Sequence, residues 1–387
     1  MIRNLLNTAL RECSNLRHNP IYFISMVLLP IVAIVFFTSL MDQGQPTDMP
    51  LGVVDLDNTA TTRSMVRRLD AFQNTHVVAY YNSADEARHA MQENKIYGFL
   101  YIPKGTTDNL LSSRQPKISL FYSYASITAG SLLFKDLKTI ASLGSAGVGQ
   151  ATMRAKGYTD SQIRTFLQPI AVDLHSTTNP WTNYNIYLST MLIPGTLMLF
   201  IFLVTAYSFG TELKFGRAKE WLHTAGDNIW VAMLGKLLPQ TLISLAVFGI
   251  YSIYVYGYLQ FPHNGGMWNI ILLGVLAVLA AQGFGAFLFG LMPQLRMSMS
   301  ICSLWGVLSF SMVGTAFPVF AMDAPLEAMA QLFPLRHYFR IYQTCVFNDF
   351  PLSYVWGNVL VLVVFALLPI LVAGNLRKAV MNYKYIE

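Results

Sequence analysis

Six long apolar runs punctuate the chain, at residues 21–40, 183–210, 229–258, 267–291, 299–320 and 354–375. Each is close to the roughly 20 residues that cross a bilayer as a helix. Between the first and second runs the pattern changes to short segments. Residues 51–54, 75–81, 97–102 and 117–122 read as strands, and 59–69 and 84–94 as helices, the second opened by Ser83 with Glu86 three places on, as a capping box requires. The alternation predicts an α-helical polytopic membrane protein of six transmembrane helices with an α/β domain inserted at 41–182. Helical stretches at 127–156 and 161–174, punctuated by Gly144, Gly147, Gly149 and Gly157, are expected to return the chain to the membrane. Residues 1–20 place Ile2, Leu5, Leu6, Ala9, Leu10, Cys13 and Leu16 on one helical face, with Arg3, Asn7, Arg11, Ser14 and Arg17 elsewhere. That is an amphipathic helix suited to a membrane surface, stopped at Asn19-Pro20. Residues 321–353 are apolar but broken by prolines and charges, the pattern of a re-entrant hairpin.

Composition fits a membrane protein: 54% of the residues are hydrophobic and 12% charged, against roughly 25% charged in soluble domains. Basic residues set the orientation. They cluster in 1–20, in 211–228, at Arg296 and in 376–387, and none occurs in the loop at 260–266. Both termini are therefore expected in the cytoplasm and the 41–182 domain outside it. The first run is too long for a cleaved leader and lacks a small-x-small site, so it is expected to be a retained anchor. The net charge of +6 follows this membrane rule and makes no case for nucleic acid. Cys13, Cys302 and Cys345 fall in three different environments, so no disulfide is expected. Asp55, Asp57 and Asn58 sit close enough to suggest a metal loop, but a strand-to-helix turn capped by Asn58 accounts for them. His76, His89 and His175 are scattered singly and read as surface or packing residues.

Ionisable residues inside spans mark ion relays. After the first span, Lys236 is the exception in otherwise uncharged runs, which argues against coupling to an ion gradient. No GxxxxGK[ST] phosphate loop, HExxH, GxSxG or CxxC occurs, so the chain is expected to be neither an ATPase nor another enzyme. A transporter of this kind takes its energy from a separate subunit, and only cytoplasmic surfaces can receive it. The densest of these is the island 211–236, with Glu212, Lys214, Arg217, Lys219 and Glu220 within nine residues. Tyr251, Tyr254, Tyr256 and Tyr258 read as an interfacial aromatic belt, and Ala281, Gly285, Ala286 and Gly290 as a stripe for close helix packing.

The order of one span, a large domain and five more spans resembles the ABC type-2 exporter permeases, in the subgroup with a domain after the first span. Leu51, Gly52, Val53, Val54, Asp55, Leu56 and Asp57 resemble that subgroup's first strand and acidic turn, and Gly98 to Pro103 its later strand. Asn179-Pro180 before the second span is also similar. Glu212, Gly216, Glu220, Trp221 and Leu222, with Gly235-Lys236 opening the next helix, resemble its cytoplasmic coupling segment; Arg217 departs from a frequent threonine. Phe333-Pro334 and Tyr338 resemble its extracytoplasmic hairpin. The resemblance implies the transmembrane subunit of an ATP-driven exporter of hydrophobic or amphipathic compounds, in a bacterial inner membrane. It would act as a homodimer or with a paralogous permease, beside an ATP-binding subunit and an optional periplasmic adaptor. It holds no cofactor of its own, ATP being bound by the partner. The implied ATPase-coupling residues are Glu212, Lys214, Gly216, Arg217, Glu220, Trp221, Leu222 and Lys236. The rival reading is a membrane-anchored extracytoplasmic binding or sensory module without transport.

Overall fold

The computed structural model describes residues 1–112, 114–170, 172–173, 175 and 178–382. Leu174, where the expected 161–174 helix ends, and Lys384 of the tail lie outside them. The chain forms two compact units, Gln43–Ser176 and Met1–Asp42 with Thr177–Glu387.

The second of these units is helical. The N-terminal helix Ile2–His18 stops at Asn19, whose side chain accepts the backbone N–H of Ile21 at 3.0 Å and starts the next helix with Pro20 in its first turn. Among the described residues five helices are long and apolar enough to cross a membrane: Pro20–Leu40, Tyr184–Lys214, Ile229–Tyr258, Gly266–Leu291 and Leu352–Asn382. The run expected as a span at 299–320 forms the helix Leu295–Met312, which is not among the five. Five serines dilute its apolar content, and Gly314, at φ 99°, with Pro318 ends helical propagation after it. The last spanning helix runs on through the expected tail to Asn382.

The small-residue stripe is used within the chain. A Cβ on Gly285 would lie 3.0 Å from the Phe202 carbonyl oxygen, and one on Gly283 would lie 2.6 Å from the Ala366 Cα. Gly266–Leu291 thus packs backbone to backbone on two neighbours, which suits association by van der Waals contact in lipid. Phe284 meets Phe202 and Phe365 edge to face, at 5.3 and 5.6 Å between centroids. In the 321–353 region, helices Ala324–Ala330 and Pro334–Ile341 bury Phe333, Leu335 and Tyr338, and Phe333 stacks on Trp305. The tyrosine belt needs correcting. Tyr258 is exposed and Tyr254 half-buried, but Tyr251 and Tyr256 are buried in the same core as Tyr338 and Tyr342.

In Gln43–Ser176 a four-stranded sheet has the order β2-β1-β3-β4. Strands β1 (Met49–Asp55), β2 (Thr75–Tyr80) and β3 (Gly98–Ile102) are parallel, and β4 (Ser119–Tyr122) is antiparallel to β3. Leu51, Val53, Leu100 and Ile102 meet Val66 and Leu69 of the helix Ala60–Asp70 and Leu133, Leu137 and Ile140 of the helix Ile127–Ala155. That last helix passes unbroken through Gly144, Gly147 and Gly149, since each glycine costs a helix only about 1 kcal/mol relative to alanine. The acidic turn differs from expectation in its cap. Thr59, not Asn58, caps the helix, and Asn58 takes φ 46°. The Asp55 carboxylate accepts the backbone N–H groups of Asp57 and Asn58. Asp57 accepts those of Gly105 and Thr107 and the Thr107 hydroxyl at 2.6 Å. The Thr107 hydroxyl above all, with these N–H groups, holds the Asp57 carboxyl below its ordinary range. At position 83 the Ser83 hydroxyl accepts the Glu86 N–H, while the Glu86 carboxylate reaches back to the N–H of Asn82.

Candidate functional site

The island is built from two helix stops. Tyr184–Lys214 ends in a Schellman turn: Gly216 takes φ 68°, its N–H reaches the Leu213 carbonyl, and the Arg217 N–H reaches that of Glu212 at 2.9 Å. The short helix Ala218–Thr224 ends in the same way on Gly226, at φ 71°, with bonds from Gly226 to His223 and from Asp227 to Leu222. Asn228 then caps the helix that follows, its side chain accepting the N–H groups of Trp230 and Val231. Two glycines therefore close the C-termini of the first two helices and one asparagine caps the start of the third, fixing a helix-turn-helix-turn-helix.

One face of this segment is locked inward. Trp221 and Leu222 are buried, and the Trp221 indole N–H donates to the Ala232 carbonyl at 3.3 Å while its ring meets Phe209 edge to face. Over that indole, 5.6 Å from its centroid, lies the ammonium of Lys236. Lys236 is 1% exposed and donates to Glu12 Oε2 at 2.7 Å and to Glu212 Oε1 at 2.8 Å. Arg11 grips Glu212 with both terminal nitrogens, at 2.8 and 3.0 Å, and its Nε lies 3.5 Å from Glu220. Glu12 Oε1 accepts from the Ser208 hydroxyl at 3.0 Å and from the Gln240 amide at 2.9 Å.

Two buried carboxylates thus face two cations, so the cluster carries no net charge, and charge-assisted bonds fill it. That is the condition under which ionised groups survive away from water. Burial pulls the Arg11 pKa down, but its bond to Glu212 and the charges of Glu212, Glu220 and Glu12 outweigh this and raise it above its ordinary value. The cluster ties three segments that are distant in sequence: the N-terminal helix, the end of Tyr184–Lys214 and the start of Ile229–Tyr258. Close approach between the first and third depends on Gly235, where a Cβ would come 2.7 Å from Thr8 Cβ and 3.1 Å from the Leu5 carbonyl oxygen.

Of the residues expected in the coupling segment, Glu212, Trp221, Leu222 and Lys236 point into the protein, whereas Lys214, Gly216, Arg217 and Glu220 are exposed. Phe215 stands outward with them, 60% exposed, with the Lys214 ammonium 6.0 Å and the Arg217 guanidinium 5.8 Å from its ring centroid. The sequence pattern passed over Arg11, Glu12, Ser208, Gln240 and Phe215. One signal was available, because Glu12 is the only acidic residue before Asp42 and Lys236 the lone cation in its apolar run, each lacking a local partner.

The family model described as ABC-2 family transporter protein matches residues 20–374, and the chain belongs to that family. It is accordingly a permease subunit of an ABC transporter, a multi-pass membrane protein whose family works with an ABC ATP-binding subunit. No curated protein matches the chain.

Proposed function

We propose that this ABC-2 family member is an exporter permease. It moves a hydrophobic or amphipathic compound out of the cytoplasm or the inner leaflet, driven by an ATP-binding subunit that docks on residues 211–228. The supporting observation is the two-sidedness of that segment. Its outer face presents Lys214, Phe215, Arg217, Lys219 and Glu220, and its inner face is pinned by Trp221, Leu222 and the Glu12–Lys236–Glu212 cluster. Both turns are closed by backbone hydrogen bonds, so a push on the outer face is not absorbed by loop bending. It passes to the two spans that flank the segment and to the N-terminal helix. The exposed cations call for carboxylates on the docking subunit, and Phe215 for an apolar recess between them.

In this reading both termini and the segment 211–228 are cytoplasmic, and Gln43–Ser176 lies outside the cytoplasm of a bacterial inner membrane. The permease works as a homodimer or beside a paralogous permease, with an adaptor optional. Charge reversal tests the docking face. In proteoliposomes holding the permease and its ATP-binding subunit, Glu220→Lys is expected to abolish stimulated ATP hydrolysis while the permease still elutes as a folded species. Undiminished stimulation would remove Glu220 from the contact.

A further inference from the structure

Arg17 lines an apolar groove of about 400 Å³ between the N-terminal helix and the helices Pro20–Leu40 and Ile229–Tyr258. The groove is walled by Leu16, Phe23, Met26, Leu242 and Ile243, and Arg17 is the one charged residue that lines it. Among the described residues the exposed Arg17 side chain makes no hydrogen bond or ion pair. Glu12, the acidic residue of the same helix, is already committed to Lys236. Phe23 and Leu242, each 60% exposed, carry the groove out onto the apolar surface of two spanning helices.

We infer that this groove binds one anionic phospholipid, with an acyl chain along Phe23, Met26, Leu242 and Ile243 and the phosphate on the Arg17 guanidinium. Its volume lies within the roughly 300–1,000 Å³ of small-molecule sites. Helical walls satisfy their own backbone groups, so they offer an extended peptide no hydrogen bonds, whereas an alkyl chain needs none. The guanidinium fork matches phosphate oxygens, and basic pockets between spanning helices select anionic head groups. A seated lipid would also brace the N-terminal helix. Leu16, Tyr22 and Met26, which line the groove, form one buried cluster with Val204, one helical turn from Ser208 of the ion-paired site. The inference rests on the chain's place in a membrane and not on where the ATP-binding subunit docks.

Native mass spectrometry of the delipidated full-length protein, titrated with phosphatidylglycerol, phosphatidylcholine or inorganic phosphate, tests it. The expected result is a single tight phosphatidylglycerol adduct, preferred over phosphatidylcholine by about fivefold, the effect of one basic residue at an anionic surface. Arg17→Gln should erase the preference and Arg17→Lys keep part of it, while Ile243→Trp, which fills the groove, should weaken both lipids. Equal binding of the two lipids, a preference unchanged in Arg17→Gln, or displacement of phosphatidylglycerol by inorganic phosphate would each overturn the assignment.

Discussion

The Lys236 ammonium lies 2.7 Å from the Glu12 carboxylate, across 224 positions of the chain, and both residues are 1% exposed. The bonds of Lys236 to Glu12 and Glu212 fasten the N-terminal helix and the end of Tyr184–Lys214 to the helix that carries the lysine. If residues 211–228 receive the ATP-binding subunit as proposed, these bonds join the N-terminal helix to the segment that is pushed.

Lys236→Met should be the most damaging single change in the cluster. Glu212 would keep Arg11, but Glu12 would be left as a buried carboxylate with only neutral donors. Removing one member of a buried pair costs about 3–5 kcal/mol, so a large loss of thermal stability is expected in detergent. Adding Glu12→Gln removes the stranded charge while leaving an amide able to reach Ser208, and it should restore much of the loss. A double variant no more stable than Lys236→Met would show that the pairing energy lies elsewhere.

Gly235→Ala tests the close approach of the helices without touching a charge. The new methyl would press on Thr8 Cβ and the Leu5 carbonyl, and overpacking of this sort costs typically about 1–3 kcal/mol. Because the displaced part is the N-terminal helix, partner ATPase stimulation should fall together with melting temperature. Thr8→Gly in the same chain vacates the closest contact and should recover both. Melting unchanged in Gly235→Ala would mean that the two helices are not held at this distance.

Much of the fold was legible, because its punctuation is chemical. Ser83 opens the helix at Ala84, and the four strands fall within two residues of where their apolar runs place them. The inward face of the N-terminal helix was not legible. Its wheel assigns Ile2, Leu6 and Leu10 to a membrane surface, and these are 74%, 57% and 67% exposed, but it gave no sign that Thr8 and Glu12 on the polar side would be buried against the protein. In a membrane the apolar stripe has a solvent of its own, and the protein takes the polar stripe, so periodicity alone does not say which face meets protein. The same ambiguity misplaced Tyr251 and Tyr256, because an aromatic near the end of a span suits the lipid interface and the core equally well.

Phe215→Ala separates docking from architecture. The ring is exposed and lies outside the buried hydrophobic cluster around Trp221, so thermal stability should hardly change. If Phe215 enters a recess on the ATP-binding subunit, truncation should cost at least about 2 kcal/mol, as a hot-spot aromatic does. A pull-down titration would then show affinity lowered by more than tenfold. Lys214→Ala with Arg217→Ala should instead flatten the salt dependence of binding. Affinity unmoved by any of these changes would exclude the outer face as the docking surface.

Asp136 supplies the pH-dependent prediction. It lies on the inward face of the helix Ile127–Ala155, 7% exposed, and its Oδ2 has no hydrogen-bond partner among the described residues. Burial raises its pKa above the ordinary 3.8, with Lys135 pulling weakly the other way. A carboxyl raised in the folded state supports the fold while protonated, below its unfolded value of about 3.9, and that support is lost as the pH climbs through the folded value. At neutral pH the ionised group is therefore a burden that Asp136→Asn lifts. Hydrogen exchange of the 127–155 amides, compared between variant and wild type at each pH, should show greater protection in the variant at pH 7. The difference should vanish once the pH drops below the unfolded carboxyl value. Lower protection in the variant at pH 7 would mean that the carboxylate is held by a cation and contributes to stability.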